Sequence, residues 1–224
     1  MSHEPLRAIV FDLDGTLIDS AVELATAVNS ALARYRLPPV TVSQVKMMIG
    51  DGAMALTERA FAASGRRLTP EGLAEALQAV REEYALQPPS APYPGVRETI
   101  ERLSDMGLAL VVCTNKPEKP ARRILGQLDM AKYFKAVAGG DSFPTKKPDP
   151  GPLQALIETV GVPASAAAMV GDSANDVTAG RVAGLFTVAV SYGYSNTPPA
   201  ELGADRLIHR FDDLFAALKP RLAI

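Results

Sequence analysis

The sequence predicts an α/β protein: an open parallel sheet with helices on both faces, plus a small all-helical unit inserted after the first strand. Three observations predict it. Short, near-continuous apolar runs recur along the chain, the pattern of strands buried on both faces of a parallel sheet. From residue 94 onward, helical segments separate those runs, which is the alternation of an α/β fold. Residues 20–87 break that alternation: they are helical throughout and end in the proline-rich stretch Gln87-Pro-Pro-Ser-Ala-Pro-Tyr-Pro94.

Taken in order, Ala8-Ile-Val-Phe11 is the first strand. Ser20-Ala-Val-Glu23 has the pattern of a capping box ahead of a helix through Leu24, Val28, Ala31, Leu32 and Tyr35. Thr41-Val-Ser-Gln44 opens another helix, and Thr69-Pro70-Glu71 a third with Leu73, Leu77 and Val80 on one face. Val96, Ile100 and Leu103 keep helical spacing until Gly107 stops them. Leu108-Ala-Leu-Val-Val-Cys113 is the second strand. Pro117 then occupies a first helical turn before Ala121, Ile124, Leu125 and Leu128. Ala136-Val-Ala138 is a third strand, and Asp149-Pro150 opens a helix through Leu153, Leu156, Ile157 and Val160 to Gly161. Ala166-Ala-Ala-Met-Val170 has a helical propensity, but its length and the Gly171-Asp172 that follows favour a strand. Phe186-Thr-Val-Ala-Val190 and the short Arg206-Leu-Ile208 complete the set. The expected architecture is a Rossmann-like α/β core of residues 1–18 and 90–224, with residues 19–89 as an inserted helical domain.

Composition narrows the function classes. The chain has 224 residues, with 23 basic and 25 acidic side chains and a formal charge of −2. A nucleic-acid binder shows a basic excess or stripe, and none is present. One cysteine and two histidines cannot form a disulfide or a Cys/His zinc cluster; His3 and His209 are not read as ligands. No apolar run of about 18 residues would span a membrane, and the start lacks a signal-peptide pattern. A cytoplasmic protein, monomeric or homodimeric, is expected.

The chemistry gathers after the strands. The first runs into Asp12-Leu-Asp-Gly-Thr16, the second into Thr114-Asn-Lys-Pro117, and the fourth into Gly171-Asp-Ser-Ala-Asn-Asp176; Lys146-Lys-Pro-Asp-Pro150 follows the third. Ligands of open α/β sheets bind outside the carboxyl ends of the strands, so these four loops converge on one crevice. Two carboxylates 4 Å apart repel by about 4 kcal/mol at an effective dielectric near 20. Gathering Asp12, Asp14 and Asp172 therefore calls for a cation or shared protons. Oxygen donors without histidine or thiolate select Mg²⁺ or a similar ion, and such a site usually meets a phosphate. Lys146 or Lys147, the Thr114 hydroxyl and backbone N–H groups would neutralise the phosphoryl oxygens. The i, i+2 spacing lets Asp12 and Asp14 face one crevice, one to attack phosphorus and the other to handle protons.

These signatures, in this order, resemble the haloacid dehalogenase superfamily of phosphohydrolases over essentially the whole chain. Thr114-Asn-Lys-Pro117, Gly139-Gly-Asp-Ser142, Lys146-Lys-Pro148 and Tyr192-Gly-Tyr194 are most similar to its bacterial phosphoglycolate phosphatases. The resemblance implies a mobile cap in the inserted helices and Asp12 as the nucleophile that forms an aspartyl-phosphate. Asp14 would serve as acid and then base, its backbone carbonyl also touching the metal. Mg²⁺ would be held by Asp12, Asp14 and Asp172, with Asp176 behind them. Lys147, which directly precedes Pro148, is preferred over Lys146, and together with Thr114 would hold the phosphoryl group. Asn115 and Gly50 are expected at the substrate, which would be a small phosphate ester.

Plainer readings stand beside these. Thr114 and Asp176 could merely cap helices, and the two lysines could be solvated. Gly50-Asp-Gly-Ala-Met-Ala55 echoes a dinucleotide loop but lacks the preceding strand; it is either a helix–helix turn or a loop that closes on substrate. Lys46, Arg59, Arg66 and Arg67 are candidates for binding a substrate carboxylate, and Cys113 reads as a core residue. Competing activities are a β-phosphoglucomutase-like mutase, a pyrophosphatase, a nucleotidase and, outside enzymes, a phosphoacceptor signalling module. The second acid at i+2 and the helical insert argue against the last.

Overall fold

The computed structural model describes residues 4–222, so His3 lies outside the described residues. Six parallel strands form the main sheet: β1 (Ala8–Phe11), β4 (Ala109–Cys113), β5 (Phe134–Ala138), β6 (Ala167–Gly171), β7 (Phe186–Val190) and β8 (Arg206–Ile208). Their spatial order is β5-β4-β1-β6-β7-β8. Every neighbouring pair is parallel, with Ala8 level with both Ala109 and Ala167. All six strands match the apolar runs of the sequence, including the alanine-rich one. The order reverses at β1, between β4 and β6, and a topological switch point of this kind opens a ligand crevice at the carboxyl ends.

Alternate strand residues face opposite layers. Ile9, Phe11, Leu110, Val112, Val170 and Val188 pack with α5 (Val96–Asp105), α6 (Glu118–Gln127) and α9 (Leu214–Leu218). Ala8, Val10, Val111, Cys113 and Met169 pack on the other face with α7 (Gly151–Thr159) and α8 (Ala174–Val182).

Between β1 and β4 lie α1 (Ala21–Arg34), α2 (Val42–Lys46), α3 (Ala53–Ala63) and α4 (Pro70–Ala85). Thr41 and Gln44 form the expected reciprocal capping box, and Thr69 accepts from the Gly72 amide ahead of Pro70. The capping box expected at Ser20 does not form. The Ser20 hydroxyl donates instead to Asp14 Oδ1, and Glu23 accepts from Ser90. The first amides of α1 donate to the Tyr194 hydroxyl, at 2.7 Å from Ser20 and 3.2 Å from Ala21. A charged partner within reach thus outcompetes the local cap.

The two strands that lead into and out of the helical unit, β2 (Ile18–Asp19) and β3 (Ala91–Pro92), pair antiparallel. At two residues each, they are too short for the sequence pattern to disclose. Among the described residues no helix is long and apolar enough to cross a membrane.

Candidate active site

Asp12 follows β1 directly, and its amide donates to Val170 O of β6 at 2.9 Å. Thr114 follows β4, and its amide donates to Ala138 O at 3.0 Å. Backbone ladders that continue past the strand ends therefore fix both residues. Lys147 arrives from the loop after β5 and is 2% exposed. Its Nζ donates to Asp12 Oδ1 at 2.7 Å, to Asp176 Oδ1 at 2.6 Å and to the Cys113 carbonyl, which engages all three ammonium hydrogens. Lys146 points elsewhere, donating to Asp51 O at 2.6 Å. The two lysines thus divide between the acids and the helical unit.

Asp172 accepts from the Tyr194 amide at 2.7 Å and from the Thr16 hydroxyl at 3.2 Å. Gly15 makes that approach possible. Its φ is +88°, and a Cβ there would lie 2.5 Å from Asp172 Oδ2, so both conformation and space demand glycine. Asp176 caps its own helix by accepting from the amide and hydroxyl of Ser173 at 3.0 and 2.7 Å. Asp176 thus caps its helix through Oδ2 while its Oδ1 takes Lys147.

Asp12, Asp172 and Asp176 each offer a carboxylate oxygen within 4.8 Å of the others. All three are buried. Burial pushes the Asp12 carboxyl up to about 7, the neighbouring acids adding to it while Lys147 opposes it. Burial, together with Asp176 and Asp12, holds Asp172 well above the usual carboxylate range. Buried like charges at this spacing favour a hard divalent cation, and an all-oxygen donor set fits one. Burial alone would pull Lys147 down, but Asp12 and Asp176 outweigh it and hold the ammonium above the ordinary lysine range.

The Asp14 carboxylate is not in this cluster. It takes the Ser20 hydroxyl and Lys116 Nζ, the latter 3.0 Å from each carboxylate oxygen. Lys116 is buried beneath the Tyr84 ring, 4.6 Å from its centroid. Burial opposes its charge, yet Asp14 and Tyr84 raise it above the ordinary range. Lys116 belongs to the Thr114-Asn-Lys-Pro117 motif, where its type alone assigns it no role. The available signal was its position two residues beyond Thr114 at a strand end.

The loop between α2 and α3 lies over the strand ends. Asn115 Nδ2 donates to Gly50 O at 2.8 Å and to Lys147 O at 2.9 Å. Asn175 Nδ2 reaches Asp51 Oδ1 at 2.9 Å and Gly50 O at 3.3 Å, and Asn196 reaches Met47 O at 3.0 Å. Gly52, at φ +90°, comes so close that a Cβ would stand 2.9 Å from Asn115 O. The Asn115 side-chain amide thus holds the Gly50 main-chain carbonyl, and the loop lies against the strand-end residues. Beneath it is a cavity of about 90 Å³, lined by Asp12, Asp14, Thr114, Lys147 and Asp172 on the sheet side. Leu24, Ile49, Leu56, Val80, Arg81 and Tyr84 contribute from the helical unit.

None of the four cationic candidates of that unit lines the cavity. Lys46 stands over the Tyr194 ring, and Arg59 binds Asp51 and Met48 O. Arg66 stacks on Tyr35, and Arg67 is exposed. Cys113 is buried, its thiol pushed up to about 11 by burial. His209 pairs with the Ser191 hydroxyl at 2.8 Å, away from the acids.

A haloacid dehalogenase-like hydrolase family model matches residues 6–184. The chain belongs to the haloacid dehalogenase-like hydrolases. Within that family it is 43% identical over 208 residues to a phosphoglycolate phosphatase of Caulobacter vibrioides, covering 92% of this chain and 88% of that protein. It is 44% identical over 218 residues to one of Rhodospirillum rubrum, covering 95% and 89%. The crystal structure of a predicted phosphoglycolate phosphatase from Haemophilus somnus superposes with a TM-score of 0.89 at 35% identity, over 95% of this chain and 97% of that one. This haloacid dehalogenase-like chain is a hydrolase of phosphate monoesters, and its helical unit lines the cavity together with the strand ends.

Proposed function

We propose that the enzyme is a Mg²⁺-dependent phosphatase that hydrolyses 2-phosphoglycolate to glycolate and phosphate through an aspartyl-phosphate on Asp12. One observation carries the reading. The Asp12 carboxylate, held by Lys147, lines a cavity together with Asp14, which has its own separate support in Lys116 and Ser20. Two carboxylates with different partners, two residues apart, suit the separate tasks of nucleophile and proton carrier.

Lys147 engages Oδ1 of Asp12 and leaves Oδ2 without a side-chain partner among the described residues, so one carboxylate oxygen is free to attack phosphorus. As the P–O ester bond breaks, Asp14 in its protonated form gives the departing alkoxide that proton. It then takes one from the water that attacks the aspartyl-phosphate, returning Asp12 to its carboxylate. The Thr114 hydroxyl accepts from the Lys116 amide at 3.2 Å and keeps its hydrogen to donate to a phosphoryl oxygen. Asp12, Asp172 and the Asp14 main chain would hold Mg²⁺, with Asp176 behind them. When bound, the ion supplies positive charge against the phosphoryl oxygens. Closure of the cap loop excludes bulk water, which strengthens each of these interactions.

Leu24, Ile49, Leu56 and Val80 of the helical unit crowd the space above Asp12 and Asp14, which suits a small ester such as 2-phosphoglycolate. The names of the relatives support the same substrate. The experiment is phosphate release with Mg²⁺ from 2-phosphoglycolate, β-glucose 1-phosphate, pyrophosphate and nucleoside monophosphates. A strong kcat/KM preference for 2-phosphoglycolate is expected, and a flat profile would overturn the substrate. Appreciable turnover by a folded Asp12→Asn variant would remove Asp12 as nucleophile.

A further inference from the structure

Three cationic side chains line the cavity: Lys116, Lys147 and Arg81. Both oxygens of Asp14 occupy Lys116, while two carboxylates and a carbonyl occupy Lys147. Arg81 is different. It is exposed on α4 at the cavity edge, with no ion pair and no side-chain hydrogen bond among the described residues. On its own helix the neighbours at three and four residues are Leu77, Gln78, Tyr84 and Ala85, none of them acidic. The nearby Glu82 and Glu83 are both turned to Arg34.

Apart from Tyr84, which faces Lys116, the remaining side chains of the cap wall are apolar: Leu24, Ile49, Leu56 and Val80. A charged group entering between such walls loses hydration and needs a counter-charge. We infer that Arg81 is a specificity-determining residue: its guanidinium binds the carboxylate at the far end of the substrate while the phosphate lies at Asp12. A planar fork of donors matches a carboxylate with two parallel hydrogen bonds. The inference rests on the reading of the site as a phosphatase for a carboxylated ester. The side chain comes from α4, so the contact forms only when cap and sheet enclose the substrate together, and the carboxylate thereby helps to hold the cavity closed.

The test measures kcat and KM for the intact, Mg²⁺-loaded enzyme on 2-phosphoglycolate and on 2-hydroxyethyl phosphate, which replaces the carboxylate by an uncharged group. Arg81→Gln is expected to raise KM for 2-phosphoglycolate about 10- to 100-fold, the loss of a charge-assisted hydrogen-bonded pair. It should change kcat less and collapse the preference over the uncharged ester. Arg81→Lys keeps the charge without the fork and should recover part of the preference. Equal losses on both esters, or a preserved preference, would overturn the role of Arg81 alone. A wild-type enzyme that ignores 2-phosphoglycolate but prefers 2-phospholactate or 3-phosphoglycerate, and loses that preference in Arg81→Gln, would overturn the substrate and keep Arg81. A wild type indifferent to carboxylates would overturn both.

Discussion

Lys116 Nζ lies 3.0 Å from each carboxylate oxygen of Asp14, across 102 residues of sequence. Both side chains are nearly enclosed, at 5% and 11% exposure. Removing one member of such a pair leaves an uncompensated buried charge, at a cost of about 3–5 kcal/mol. Lys116→Met should lower unfolding free energy by that amount in urea titration. Combining it with Asp14→Leu should return much of the loss, because no charge is then stranded, while leaving the enzyme inactive. A double variant no more stable than Lys116→Met would mean that the two residues do not act as a pair.

Asp14 in the role of proton donor predicts a dependence on the leaving group. Asp14→Asn should reduce turnover of alkyl phosphates by about 10²- to 10⁴-fold. Aryl phosphates with acidic leaving groups, such as p-nitrophenyl phosphate, should lose much less. Parallel losses on the two substrate types, measured at saturating concentration, would contradict the assignment.

Asp12, Asp172 and Asp176 place their carboxylates within 4.8 Å of one another, at an electrostatic cost to the metal-free fold. Replacing Asp172 by Asn removes one of the three crowded carboxyl groups. In chelator it should raise Tm by about 2–4 °C, the shift expected from roughly 1 kcal/mol in a chain of this size. Mg²⁺ should stabilise the wild type and have much less effect on the variant. Scanning calorimetry with and without Mg²⁺ decides the matter: an Asn variant that melts below the wild type in chelator would show that hydrogen bonds to Asp172, not repulsion, dominate there.

The cap loop is held by side-chain amides acting on main-chain carbonyls. Asn175 touches Gly50 and Asp51 and lies outside the proposed catalytic set. Asn175→Ala should accelerate amide exchange through residues 47–53 by about tenfold, the equivalent of one or two lost hydrogen bonds. Exchange in β1 and β4 should not change. An unaltered loop would place the closure energy elsewhere, in Asn115 and Lys146.

The sheet was legible because burial on both faces writes a continuous apolar run into β1, β4, β6 and β7, and Ala166–Val170 could be assigned from its length and its Gly-Asp exit; the edge strands β5 and β8, partly exposed, leave only short runs. The acids and Lys147 were legible for a related reason, since residues following those strands must share one edge. What stayed hidden depends on partners distant in sequence. Ser20 looks like a helix cap until Asp14 and Tyr194 stand beside it. Lys116 looks like a solvated lysine until Asp14 is found against it. Arg81 follows Val80 at the margin of an apolar helix face, and nothing local distinguishes it from the other cationic side chains of the cap. Its distinction is a lack of partners, which only the folded chain reveals.

Cys113 ends β4, which is flanked by β5 and β1 near the middle of the sheet. It is the single cysteine of the chain, and burial keeps its thiol both protonated and out of reach. A thiol reagent can modify it only after the α7 and α8 layer lifts from that face of the sheet, so each molecule records its own first deep opening as one irreversible mark. Labelling rates, followed by mass, would time that event without an engineered probe, and would show whether Mg²⁺ or a product such as phosphate keeps that layer shut longer.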